Sequence, residues 1–385
     1  MAGRFERSKG TALRNGCPIH PKGSVMHLTL APSRQTRTRY RRLATVGVGA
    51  LAAVAAILAS APAAQADAVV AVIPVGSVPQ GVAIAPDGRH AYIASTGSDA
   101  ISIIDTATNA VTGSIPVGDN PIGIAFTPNG ARAYVTNAVG NTVSVINTAT
   151  SSVTGSIPVG SAPTGIAVTP NGARAYVASQ SGSVSVIDIG TNSVITTIPT
   201  GIGTSWIAVS PDGSRAYATT TSTNTVSEIN TTTNAVVDTV NVGNSPIGIA
   251  VTPDGTRAFV ANTSSDDLSV IDLDTTIVSG LPGGGDGPLL VAITPDGTRA
   301  YITNSGSNTV SIVDTATGVV LGNVAVGAGP VGVAIAPDGR HAYVANALTD
   351  DVSVIRIDGA STGSLGSLGS ADSGSIGSLG ALFGS

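Results

Sequence analysis

Few side chains in this sequence can do chemistry, and their positions limit what that chemistry is. Cys17 is the only cysteine. Downstream of Asp67 stand two histidines (His90 and His341), one tryptophan (Trp206), one glutamate (Glu228) and no lysine. Two imidazoles fall short of the three or four ligands of a zinc site. The acidic pairs Asp266-Asp267 and Asp350-Asp351 lack the Asp-x-Asp-x-Asp spacing of a calcium loop, and a solvated acidic rim is the simpler reading. No nucleophile stands in a recognisable set with a base and an orienting group. Neither a cofactor nor a metal is therefore expected, and catalytic residues cannot be assigned.

The elements around these residues repeat. Seven Pro-Asp/Asn-Gly turns begin at Pro86, Pro128, Pro170, Pro211, Pro253, Pro295 and Pro337, at intervals of 42, 42, 41, 42, 42 and 42 residues. So regular a period marks a repeat architecture. Within residues 115–156, an alternating segment 123–127 leads to the turn at Pro128. Segments 132–136, 142–146 and 153–159 follow, each rich in Val, Ile, Thr and Tyr. The pattern predicts four antiparallel strands per unit. Seven such units predict an all-β, seven-bladed β-propeller. The last unit has only three strands after its leading segment, and residues 68–75 match the fourth strand of a complete unit. The N-terminal strand is expected to pair with residues 352–355 and close the ring, covering two sheet edges.

Departures from the repeat single out a site. Trp206 and Leu290 replace a glycine found at 81, 123, 165, 248 and 332. Glu228 replaces an apolar residue, and Asp286 lies in an unusual Gly-rich loop, residues 282–288. Propeller ligands usually sit at the channel mouth, so Trp206, Glu228, Leu290 and Asp286 are the candidate ligand-binding residues. The competing reading makes Trp206 a gap-filling side chain and Glu228 a tolerated edge substitution. The seven aromatics at 92, 134, 176, 217, 259, 301 and 343 are expected to pack between blades. Arginines at 132, 174, 215, 257 and 299 share one repeat position, held by His90 and His341 in the first and last units. They are expected to pair with carboxylates such as Asp188 or Asp272.

Charge divides the chain. Residues 1–66 hold ten Lys or Arg and one acid, whereas the remainder holds eight arginines against 22 acids, a formal balance of −14. Such a surface is poorly suited to phosphate backbones, and no nucleic-acid partner is expected. Arginines from 34 to 42, an apolar run over 43–59 and a small-residue site at Ala64-Gln65-Ala66 read as an export signal cleaved after Ala66. Met1 and Met26 are both possible starts, and both general secretion and twin-arginine export remain open. An uncleaved membrane anchor is the alternative. Residues 67–358 form the propeller, and the Gly/Ser-rich residues 359–385 read as a flexible tail. No membrane span is expected after cleavage.

Arg132-Ala-Tyr-Val-Thr-Asn137, the Pro-Asp-Gly-Thr-Arg-Ala segments at 253–258 and 295–300, and recurring Val-Ser-Val-Ile segments resemble the YVTN family of β-propeller repeat proteins. That family includes surface-layer proteins and YncE-like secreted propellers. The resemblance covers residues 68–358 and implies fold more than chemistry. Lactonase-type propellers are similar more distantly. The expectation is a secreted or cell-surface monomer that binds a protein or cell-envelope component without catalysis. The alternative is a lactonase-like hydrolase using the mouth near Trp206 and Glu228.

Overall fold

The computed structural model describes residues 66–359. All of the expected export signal (1–66) but Ala66, and all of the expected tail (359–385) but Gly359, lie outside the described residues. Seven four-stranded antiparallel sheets make up the described chain, six of them from consecutive strands. Their first strands contact one another around a closed circuit and form the innermost ring. Hence the molecule is a seven-bladed propeller.

Local chemistry sets each blade. The hairpin glycines, such as Gly88 and Gly130, have φ of 73° and 69°, which the Pro-Asp/Asn-Gly turns require and which a side chain would oppose. Every first strand carries a register shift just after its opening residue, as between Pro79 and Val82 in blade 1. The glycine at this bulge lets adjacent inner strands approach closely. A methyl group on Gly81 would sit 1.9 Å from the Ile122 carbonyl oxygen, and one on Gly332 would sit 2.1 Å from that of Gln80. Second-strand residues supply the core between blades: Tyr134, Tyr176, Phe259 and Tyr301 are fully buried.

Three buried threonines tie the inner ring together. Thr219 Oγ1 accepts the Trp206 N–H at 3.0 Å and donates to the Ile247 carbonyl of the next blade at 2.7 Å. Thr136 and Thr303 make the same bridge in blades 2 and 6. A second set of links runs between loops on the mouth side. Asp99, Asn141, Asn224, Asp266, Asn308 and Asp350 each precede a third strand with positive φ. Each side chain accepts the N–H just before the next blade's first strand, at 2.7–2.9 Å. Gly182 takes this position in blade 3, where the Gly203 N–H bonds instead to the Gln180 carbonyl at 2.8 Å. The link without a side chain therefore leads into the blade that carries Trp206.

The seventh sheet is composite. Ala68–Pro74 pairs antiparallel with Asp351–Arg356, with a bulge between Val69 and Ala71. Its alternation, with Ile73 4% exposed, lays one face against neighbouring blades. Asp67 lies one residue upstream. Its carboxylate, 4% exposed, accepts hydrogen bonds from the Asp358 N–H at 2.7 Å and from the Tyr301 hydroxyl, and pairs with Arg299 at 3.4 Å.

Candidate functional site: the axial mouth

The bulge that brings inner strands together also turns one side chain of each blade toward the axis. Ile122, Ile247, Leu289 and Val331 supply aliphatic groups, while Gln80, Thr164 and Ser205 supply an amide and two hydroxyls. They surround a cavity of about 350 Å³, completed by Trp206, Leu290, Gly81 and Gln180. Blades 5, 6 and 7 give a continuous apolar arc, and blades 3 and 4 give the hydroxyl arc opposite. The Thr164 hydroxyl donates to the Ser205 carbonyl, so it is engaged in the wall.

Trp206 and Leu290 come together here. Leu290 is 6% exposed, and the half-buried indole packs against the apolar cluster that includes it, as well as one around Ile249 and Tyr217. Large side chains at two of the glycine positions thus line the cavity and close the gap between inner strands. Trp206 therefore both packs between inner strands and lines the cavity.

The other two candidates stand apart from this cavity. Glu228 lies on the third strand of blade 4, Thr225–Asn230, opposite Tyr217 and Asp238. Its Oε1 accepts the Arg215 Nε–H at 2.7 Å. Burial, and then the Glu228 charge, push the Tyr217 hydroxyl up to about 12. Asp286 is exposed on the loop before the first strand of blade 6. Its backbone is engaged by the Ser307 hydroxyl at 3.1 Å and the Gly306 N–H at 3.0 Å. Repeat position marks a departure but not its direction: Trp206 and Leu290 fall on inner strands, Glu228 on a third strand.

Two of the five arginines pair with carboxylates as expected, Arg215 with Glu228 and Arg299 with Asp67, and three do not. Arg132 donates to the Ile189 carbonyl and Arg257 to the Thr315 carbonyl of the following blade, both at 2.8 Å, and Arg174 reaches Thr231 likewise. Asp188 and Asp272 instead accept N–H and hydroxyl bonds from Thr191 and Thr275 within their own turns. Those turn donors hold both carboxyls below their ordinary value. Local closure of an Asx turn outcompetes a cross-strand ion pair that is exposed to solvent.

Asp266 and Asp350 are exposed, as the rim reading expects, and also link blades, while the half-buried Asp267 and Asp351 accept the amides of Asn262 and Asn346 at 2.8 and 2.6 Å. The signal was present, because Asp or Asn recurs before six third strands. No cluster of three or more metal-ligating side chains occurs among the described residues.

A family model described as a seven-bladed β-propeller lactonase matches residues 75–276 and, overlapping them, 175–373. No curated protein matches the chain. Among solved structures it is similar to Kuenenia stuttgartiensis hydrazine synthase, at 26% identity and a TM-score of 0.69, covering 73% of this chain and 96% of that one. With the repeat, the closed ring and the match over most of its length, the chain belongs to the seven-bladed β-propeller lactonase family.

Proposed function

We propose that this chain is an exported, YVTN-type propeller that serves as a monomeric, non-enzymatic binding scaffold, with the axial mouth as its docking site. The observation that carries the reading is the chemistry of the mouth. Its eleven lining residues offer aliphatic groups, one indole, amides, hydroxyls and glycine backbone, but no carboxylate, imidazole, thiol or amine. Such a wall binds by apolar contact and orients by a few polar groups. General acid–base chemistry needs a titratable group within hydrogen-bond reach of the reacting atom. The partner is a protein or cell-envelope component that inserts an apolar side chain toward Trp206 and Leu290 and sets its backbone amides against Gln80 and Ser205.

Lactone hydrolysis is the second reading, favoured by the family match. It does not draw on Glu228, whose carboxylate is held by Arg215 away from the mouth. The two readings separate in one comparison of wild type and Trp206→Ala. Binding to a purified envelope fraction that falls at least tenfold in the variant, without turnover of a lactone panel by either protein, supports the scaffold. Turnover that is lost in the variant supports the hydrolase.

A further inference from the structure

We propose that the interface between blades 1 and 2, on the face of the Pro-Asp/Asn-Gly turns and away from the mouth, is a binding site for a guanidinium group. The repeat itself supplies the template. In blades 2, 3 and 5 the arginine that opens the second strand sends its guanidinium across to a backbone carbonyl in the last turn of the next blade. Arg299 of blade 6 does the same to the Asp358 carbonyl at 2.8 Å. At the first two of these interfaces a tyrosine hydroxyl beside the arginine donates to an asparagine of the same turn: Tyr134 to Asn192 at 2.7 Å and Tyr176 to Asn234 at 2.9 Å.

Three substitutions empty that arrangement between blades 1 and 2. His90 stands in the arginine position and makes no hydrogen bond to Thr148, the counterpart of Ile189 and Thr231. Ser151 stands where the turn asparagine belongs. Phe126 replaces the Val or Ile found at this point of the other first strands. The interface holds a cavity of about 650 Å³ bounded by His90, Tyr92, Phe126, Thr148, Ser151 and Asp87; the next interface has one of about 610 Å³, but there the Arg132 side chain lines it. Arg89, one position earlier, is exposed and does not line it.

The lining suits an incoming cation of the same shape. Asp87 is the only carboxylate of the wall, and one of its oxygens already accepts the Arg89 N–H at 3.0 Å, which fixes the group in place. Tyr92 and Phe126 meet edge to face with centroids 4.9 Å apart and both line the cavity, the half-buried Phe126 offering the ring face that the buried Tyr92 braces. Planar guanidinium both stacks on such rings and bonds carboxylate or carbonyl oxygens in its plane. The volume exceeds that of the head group alone, so an arginine side chain with adjoining backbone fits. The −14 balance of the mature region favours a cationic ligand at long range. The guanidinium comes either from a peptide arginine or from a free alkylguanidine.

The test titrates the folded protein with agmatine, with N-acetyl-Gly-Arg-Gly-amide and with butylamine, followed by calorimetry and thermal shift. Wild type is expected to bind the guanidinium compounds saturably and at least fivefold tighter than butylamine. Binding of the peptide identifies a peptide arginine as the natural source, and binding of agmatine alone identifies a free alkylguanidine. His90→Arg supplies the missing side chain from within and is expected to raise the melting temperature and to weaken binding at least tenfold. Asp87→Asn, on an exposed turn, is expected to weaken it severalfold and keeps the test intact should His90→Arg fold poorly. No binding by wild type, or equal binding by wild type and Asp87→Asn, overturns the proposal.

Discussion

The Asp67 carboxylate and the Tyr301 hydroxyl are hydrogen-bonded across 234 positions of sequence. The same carboxylate pairs with Arg299 and accepts the Asp358 N–H, so the start of the closing strand, the sixth blade and the end of the last blade meet at one buried group. Burial, and then the bond to Asp67, raise the Tyr301 hydroxyl beyond the usual tyrosine range. Asp67 is also the residue that follows the expected cleavage site. Export processing and ring closure would thus converge on one residue.

Asp67→Ala leaves the Tyr301 hydroxyl and the Asp358 N–H without their acceptor and Arg299 with only the Asp358 carbonyl. Removing one member of a buried, hydrogen-bonded charge pair costs about 2–4 kcal/mol, a fall in Tm on the order of 5–10 °C. Differential scanning calorimetry of protein beginning at Ala66 checks this. Deleting residues 68–74 as well is expected to destabilise further, because the last blade loses its fourth strand. An unchanged Tm in the deletion would contradict closure by this strand.

The inner ring tolerates no side chain at its tight glycines. Gly81→Ala places a methyl group 1.9 Å from the Ile122 carbonyl oxygen, whereas Gly155→Ala meets nothing within 4 Å. The first is expected to cost about 1–3 kcal/mol or more through overpacking, and the second to be neutral or slightly stabilising. Urea unfolding of the two variants side by side reads the difference.

Glu228→Val restores the apolar residue of the other repeats and frees Arg215, whose side chain is 36% exposed. The exposed end of this pair limits its worth to about 0–1 kcal/mol, so Tm is expected to move by a few degrees at most. Ligand binding at the mouth is expected to be unchanged. A tenfold loss of binding would return Glu228 to the site.

Stability is expected to be flat across mid-range pH and to fall at both ends. Turn carboxyls including Asp105, Asp254 and Asp314 are lowered by serine or threonine hydrogen bonds, and Ser210 and Ser214 hold Asp212 at about 2. A depressed acid contributes stability above its unfolded value of 3.8, and that contribution is lost as pH falls toward 2. Burial raises the Tyr217 and Tyr343 hydroxyls to about 12. Their protonated forms stabilise the fold below pH 10, and that contribution is lost as pH rises from 10 to 12. Urea midpoints measured from pH 2 to 12 check both limbs.

Much of this fold was legible because each unit repeats the same local decisions. Turn glycines, period-two alternation and the unmatched strand 68–75 were enough to place seven blades and propose the seam. The lining of the candidate mouth was legible only where a departure fell on an inner strand, as at Trp206 and Leu290. Glu228, which stands apart from the mouth, and the partners of Arg132, Arg174 and Arg257 were not legible for one physical reason: sequence spacing gives no side-chain reach. Arg132 crosses to another blade, while Arg215, at the same repeat position, folds back onto Glu228. The buried role of Asp67 was invisible because its partners lie more than 200 residues away.

Trp206 is the only tryptophan of the chain and lines the mouth, so its emission reports directly on occupancy. The decisive measurement titrates the protein with a fractionated cell envelope, following Trp206 emission and acrylamide quenching alongside turnover of a lactone panel. A saturable blue shift with protection from quencher is expected in at least one fraction, abolished by Leu290→Asp, without lactone turnover. Lactone hydrolysis that tracks Trp206 occupancy would contradict the scaffold reading.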